Sequence, residues 1–234
     1  KVMKALHNFS GIYVETQTML KAMQQLGYEN VFVVPNCKPL NIIKKADVPK
    51  NFTEPYRLVT FSRVTEKKGV GTAIDTVIKL NEKYDREVFK LDIYGPIDPG
   101  EDLEWFMEQK GHFTNAITYK GVAPFDKTVE ILSSYFALLF PTKYYTEGIP
   151  GTIIDSYAAG VPVVSSRWKS YPDVVDEGIT GIGYDFNENK GLENVLKRII
   201  ENPALIIGLK ENCVEKAKEF LPENAIKPIL NNIK

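Results

Sequence analysis

Two hydrophobic periods alternate along this chain. Short continuous apolar runs have the length and composition of buried strands: Val31 to Val34, Leu58 to Phe61, Phe89 to Tyr94, Ile117 to Tyr119, Ala137 to Pro141 and Pro162 to Val164. Between them, apolar positions recur at helical spacing. Glu15 to Leu26 reads as a helix with Met19, Leu20, Met23 and Leu26 on one face and Gly27 as its stop. Thr72 to Tyr84 turns Ile74, Val77, Ile78 and Leu80 inward. Leu103 to Lys110, Phe125 to Ser134, Leu192 to Glu201 and Pro203 to Phe220 follow as helices, with Pro203 at a favoured first-turn position. Gly178 to Phe186 holds a turn and a last strand, and the tail from Glu223 reads as a short helix. Lys1 to Phe9 has no clear period. Lys38 to Pro55 is polar, aperiodic and rich in prolines and lysines, as a linker is.

Strand and helix alternate throughout, so the pattern predicts an α/β fold with a doubly wound parallel sheet. Residues 1–50 read as a strand–helix–strand remnant of a preceding domain plus a linker, and residues 51–234 as the main domain. The centre of the pattern is Ala137 to Val164: strand, Gly- and Pro-rich loop, helix, strand. That is one crossover unit of a parallel sheet, with the loop where a strand ends and a helix begins. Ligands bind there in open α/β sheets, and the backbone N–H groups of a helix start favour anions.

Composition narrows the function. The 234 residues carry a net charge of −1, which gives no basis for bulk capture of nucleic acid or of a membrane surface. Any phosphate must be held by individually placed groups. Cys37 and Cys213 form no metal-ligand spacing and read as free thiols of a cytosolic protein. No apolar run reaches membrane-spanning length. The chain opens at Lys1 rather than methionine, which suggests a fragment.

The candidate chemistry lies on two loops. Arg63 and Lys68 follow the strand ending at Phe61, at the mouth of the next helix. A pyrophosphate there would meet a guanidinium, an ammonium and a helix N-terminus together. A solvated basic loop is the plain alternative, because Glu66 stands beside Lys67 and Lys68. Glu147 enters the Gly-rich loop and Asp155 leaves it on the first turns of the helix. Such carboxylates accept from adjacent ring hydroxyls, although capping and surface charge explain them too. A two-carboxylate hydrolase lacks any other mark of its cleft. Tyr144 and Tyr145 either line a sugar pocket or are half-exposed loop aromatics. His7 and His112 have no partner at metal or triad spacing. Gly69 and Gly71 do not complete a dinucleotide fingerprint, and there is no Walker A loop.

As a set, these segments resemble the retaining GT-B glycosyltransferases of the family 4 type. The resemblance is carried by Phe61-Ser62-Arg63 through Lys68-Gly69, by Leu91 to Gly95, and by Tyr119 to Val122. It continues in the acid–seven-residue–acid motif from Glu147 to Asp155, in Ala158 to Val164, and in Pro172 to Val175 with Gly178 and Gly181. It implies a Rossmann-like, nucleotide-sugar-binding domain, the C-terminal half of a GT-B fold. By match to the motif, Arg63 and Lys68 would neutralise the donor diphosphate, Glu147 would contact the transferred sugar, and Asp155 would hold the ribose. Gly148, Ile149, Pro150, Gly151 and Thr152 would touch sugar and phosphate, and Val122 would sit near the base. The resemblance implies no cofactor and no metal. The acceptor, a glycan or lipid-linked glycan, would bind through a missing N-terminal domain, in the cytoplasm, with association at the inner face of the membrane left open. A non-catalytic nucleotide-sugar-binding module and an epimerase of similar fold are the alternatives. The chain departs from the family pattern at Asp155, which stands where a longer Glu is usual, and at Ile149-Pro150, where Pro150 removes one N–H from the loop.

Overall fold

The computed structural model describes residues 5–232. The start of the aperiodic opening (1–4) and the end of the tail helix (233–234) lie outside the described residues.

A small unit comes first. β1 (Ile12–Val14) and β2 (Val31–Val33) pair in parallel with Ile12 opposite Val31, and α1 (Gln17–Gln25) connects them. Thr16 caps α1, its hydroxyl accepting from the Met19 N–H at 3.1 Å, and Gly27 takes the left-handed conformation that ends the turn. Met19, Leu20 and Met23 are half-buried. Leu26, the C-cap of the helix, is 59% exposed instead of turned inward.

The main unit is a six-stranded, all-parallel sheet. Its strands are β3 (Tyr56–Phe61), β4 (Phe89–Tyr94), β5 (Ile117–Gly121), β6 (Ala137–Phe140), β7 (Val163–Arg167) and β8 (Gly181–Asp185), in the order β5-β4-β3-β6-β7-β8. The chain therefore winds outward from β3 to one edge, returns to β6, and winds to the other edge. Leu58 pairs with Ala137 and Val59 with Leu138 across the reversal. This strand order is the Rossmann order, and its switch point lies between β3 and β6.

Both faces are covered. One face packs α2 (Val70–Tyr84), α3 (Glu101–Lys110) and α6 (Gly191–Glu201) onto Leu58, Leu91, Ile93, Ala137, Leu139 and Val164. The other packs α4 (Thr128–Ser133), α5 (Gly151–Ala158) and α8 (Lys210–Ala217) onto Val59, Leu138, Phe140 and Val163. Alternate residues of β6 thus serve opposite faces, which is why the whole run is apolar and buried.

Two predicted helices come out differently. Phe125–Lys127 is a 3-10 turn, leaving only Thr128–Ser133 as α4. The stretch Pro203 to Phe220 is broken into α7 (Ala204–Ile207), α8 and a closing 3-10 turn. The break has a packing cause. Ile206 and Leu209 belong to the core on the α2 face, whereas Cys213 and Ala217 belong to the core on the α5 face. The chain must change direction at Gly208 to serve both.

Lys210 begins α8 and is only 1% exposed. Its ammonium donates to the carbonyls of Tyr135 (2.9 Å) and Phe136 (3.3 Å) and lies 4.7 Å from the Phe52 ring centre. Burial pulls its pKa down to about 7. The linker is not loose either. Lys38 and Ile43 donate their N–H groups to Phe220 (3.1 Å) and Ala158 (3.0 Å), and Val48 is buried. Cys37 and Cys213 are free thiols. Among the described residues no helix is long and apolar enough to cross a membrane.

Candidate functional site

The loops after β3 and β6 meet at the switch point. Two glycines let them and their neighbour approach. Gly69 has φ +74°, and a Cβ there would stand 1.8 Å from the Pro141 carbonyl oxygen. Gly95 has φ +145°, and its Cβ would stand 1.7 Å from the Ser62 oxygen. Any other residue would push the loops apart as well as strain the backbone.

The result is a cleft of about 580 Å³ at the carboxyl edge of the sheet. Arg63, Lys68, Glu147, Gly148, Ile149, Pro150, Gly151, Thr152, Asp155 and Val122, all singled out in the sequence, line it together. Lys68 and Glu147 form an ion pair across it, with side chains 27% and 11% exposed. Arg63 Nη1 meets Asp98 Oδ2 at 2.8 Å near the rim. Val122 is 66% exposed at the mouth. Among the described residues no His, Cys, Asp and Glu cluster could hold a metal ion.

The Gly-rich loop is fixed from both sides. Trp168 donates its indole N–H to the Gly148 carbonyl at 3.2 Å, and Asn36 donates to the Ile149 carbonyl at 3.0 Å. Pro150 is the N-cap of α5, and its carbonyl accepts from Ile153 N–H at 3.0 Å. The N–H groups of Gly151 and Thr152 open the helix, where no intrahelical acceptor exists for them, and both residues face the cleft. The buried Thr152 hydroxyl also has no partner among the described residues.

Asp155 lies on the first turns of α5, as expected, but it is buried. It is the fifth residue of α5 and is 7% exposed, so it neither caps the helix nor sits in its first turn. Burial pushes its carboxyl up from the usual carboxylate range, against the downward pull of Lys38. Lys38 is the partner that sequence reasoning missed: its ammonium is 2.6 Å from both Asp155 oxygens. Glu15 was missed too. It follows β1, lines the cleft, and accepts the Ile149 N–H at 3.0 Å. Glu15 stands directly past the carboxyl end of β1, the same positional signal that marks Arg63, whereas Lys38 lies in the linker beyond β2 and carries no such signal.

Tyr144 and Tyr145 do not line this cleft. Each is 52% exposed; Tyr144 borders a neighbouring hollow and Tyr145 packs edge-on against Phe186 at 5.0 Å. His7 stacks on Tyr28 with ring centres 4.5 Å apart, outside the site.

Comparison with known proteins agrees with this architecture. Anabaena HepE in complex with UDP superposes with a TM-score of 0.81 at 18% identity, over 99% of this chain and 65% of that one. At that identity the likeness concerns the fold. The amylovoran biosynthesis glycosyltransferase AmsK of Erwinia amylovora is 21% identical over 212 residues, covering 86% of this chain and 51% of AmsK. The putative colanic acid biosynthesis glycosyltransferase WcaL of Salmonella typhimurium is 25% identical over 181 residues, 76% of this chain and 43% of WcaL. The chain spans about half the length of the curated relatives it matches. The family model for glycosyl transferases group 1 matches residues 41–220, which is the six-stranded sheet, its helices and the cleft loops that follow its strands, but not Glu15 or Lys38. The chain belongs to the glycosyl transferases group 1 family, a family of transferase enzymes.

Proposed function

We propose that this chain is the donor-binding part of a retaining glycosyltransferase of the family 4 type, which moves a sugar from a nucleoside diphosphate-sugar to a glycan or lipid-linked glycan. Residues 51–234 form the donor domain, and residues 1–50 end a preceding domain and lead into it. The acceptor binds to sequence beyond these residues. Work in the cytoplasm, at the inner face of a membrane when the acceptor is lipid-linked, fits this reading.

One observation carries the proposal. Two cations, two carboxylates and a helix N-terminus, distant along the chain, converge on one cleft at the switch point of the sheet. A sugar nucleotide has matching parts. Lys68 and Arg63 take the diphosphate, and stabilise the charge that grows on it as it departs. The N–H groups of Gly151 and Thr152 take phosphate oxygens. Glu147, already held by Lys68, accepts from hydroxyls of the transferred sugar. Asp155 accepts from the ribose, and Val122 borders the base. The names of AmsK and WcaL point to polysaccharide assembly, and the UDP of HepE makes uracil the first base to test.

The test is a calorimetric screen of UDP, GDP and ADP. At least one binds, and Lys68→Ala weakens that binding by about 1–3 kcal/mol, the scale of hydrogen bonds to charged groups. Absence of binding by all three overturns the proposal. Unchanged affinity in Lys68→Ala removes Lys68 from it. The 234 residues alone transfer sugar poorly or not at all, because the acceptor part lies outside them; full turnover by them would refute that division of labour.

A further inference from the structure

Lys38 lines the same cleft as Arg63 and Lys68. It belongs to the linker, not to the β3 loop, and its backbone is anchored by the N–H bond to the Phe220 carbonyl at 3.1 Å. Its ammonium has three protons to donate. Two are directed at Asp155, with both oxygens at 2.6 Å. The third has no hydrogen-bond partner among the described residues. The nitrogen also stands 3.9 Å from where a Cβ on Gly151 would be. Gly151 is the first residue of α5, so the ammonium is beside the N–H groups that open that helix. The Phe125 ring, with its centre 5.5 Å away, borders the ammonium on another side.

We propose that Lys38 is a donor-binding residue: it bridges the Asp155 carboxylate and a phosphate of the nucleoside diphosphate seated on the N-terminus of α5. This rests on the donor-binding function argued above and adds a third cation to it. Asp155 loses nothing by the arrangement. A carboxylate offers about four lone-pair positions. Lys38 uses one on each oxygen, and one on each remains for two adjacent ribose hydroxyls. The remaining proton of Lys38 then reaches the phosphate that the ribose carries. Ribose and phosphate are read by one lysine–aspartate unit, while Arg63 and Lys68 close on the diphosphate from the loop after β3. The glycine at 151 keeps the space between Lys38 and the helix start free of a side chain.

The test compares a nucleoside diphosphate with its nucleoside, UDP and uridine first, by calorimetry and by competition NMR for the weaker ligand. Lys38→Met is expected to weaken UDP at least tenfold while uridine stays within threefold. Lys38→Arg keeps the charge and recovers most of the loss. Removing Lys38 leaves Asp155 buried without its counter-charge, so a folded background is needed. In the double variant Lys38→Met with Asp155→Asn that orphaned charge is gone, and UDP still binds at least tenfold more weakly than to Asp155→Asn alone. Wild-type affinity for UDP in Lys38→Met overturns the inference. Equal losses for UDP and uridine overturn it as well, since Lys38 would then only hold Asp155. Failure of the unaltered chain to bind UDP, GDP or ADP overturns the donor-binding function itself, and this inference with it.

Discussion

The six-stranded sheet and the small unit of β1, α1 and β2 are both parallel α/β structures, yet they are held in different ways. In the sheet, Leu58, Val59, Leu91, Ile93, Ala137, Leu138, Val163 and Val164 are fully buried. In α1 no residue is buried. The small unit meets the main one through polar contacts: Glu15 to the Ile149 N–H, Asn36 to the Ile149 carbonyl, Thr16 to Ser170, and Thr18 N–H to Asp173. All four contacts fall on the Gly-rich loop or on the turn after β7. The larger unit is thus built by apolar burial, and the smaller is aligned to the site by hydrogen bonds, each of modest net worth.

The largest expected effect separates the two directly. Leu138→Ala removes a fully buried side chain from β6 and costs about 3 kcal/mol, whereas Leu20→Ala on half-buried α1 costs about 1 kcal/mol or less. Urea denaturation of both variants checks this, and equal costs would erase the distinction. Next comes the buried amine of the main unit. Lys210 is neutral in the folded chain above pH about 7, but charged in the unfolded chain up to about pH 10. The unfolded state then binds more protons, so stability rises with pH in that window, by about 1.5 kcal/mol between pH 7 and 8.5. Above that range the gain is opposed, because burial pushes the Cys213 thiol up and unfolding lets it ionise. Denaturation midpoints at the two pH values show the rise in the native chain, and Lys210→Met flattens it.

A smaller effect concerns the contact between the units. Glu15 places a negative charge on an N–H of the Gly-rich loop. Glu15→Gln removes the charge and tightens nucleoside diphosphate binding by about 1 kcal/mol, measured by calorimetry. Weaker binding in that variant would show that Glu15 assists the ligand. The smallest is local. Asp173 accepts the N–H of Thr18, in the first turn of α1, at 3.1 Å and so acts as a cap supplied from outside the helix. Asp173→Ala speeds hydrogen exchange of α1 amides by an amount equivalent to about 1 kcal/mol or less and leaves β6 unchanged.

The same contrast explains what was legible in the sequence. Strand–helix alternation and the unbroken apolar run of β6 announce a sheet covered on both faces, and both are found. Arg63, Lys68, Glu147 and Asp155 could be picked out because each borders a strand end or a Gly-rich loop. Glu15 borders the end of β1 in the same way and was passed over, whereas Lys38 borders neither a strand end nor the Gly-rich loop. The contacts of Lys38 with Asp155 and of Glu15 with Ile149 span 117 and 134 residues, and neither residue lies in a motif. Polar docking leaves no period. The break at Gly208 escaped for a related reason: helical spacing continues through it, and only the division of Ile206 and Cys213 between opposite faces reveals the bend.

Each cation of the cleft already has a local carboxylate: Asp155 for Lys38, Asp98 for Arg63 and Glu147 for Lys68. Such neutralised pairs cast little field into solution, and the whole chain, at −1, adds none that favours an anion. On the donor-binding proposal, encounter with a charged nucleotide is governed by diffusion and shape, and its association rate, read by stopped flow, varies little with ionic strength. On the same reading, attraction begins only at contact, when Lys38, still paired with Asp155, offers its remaining proton to the phosphate of the guest.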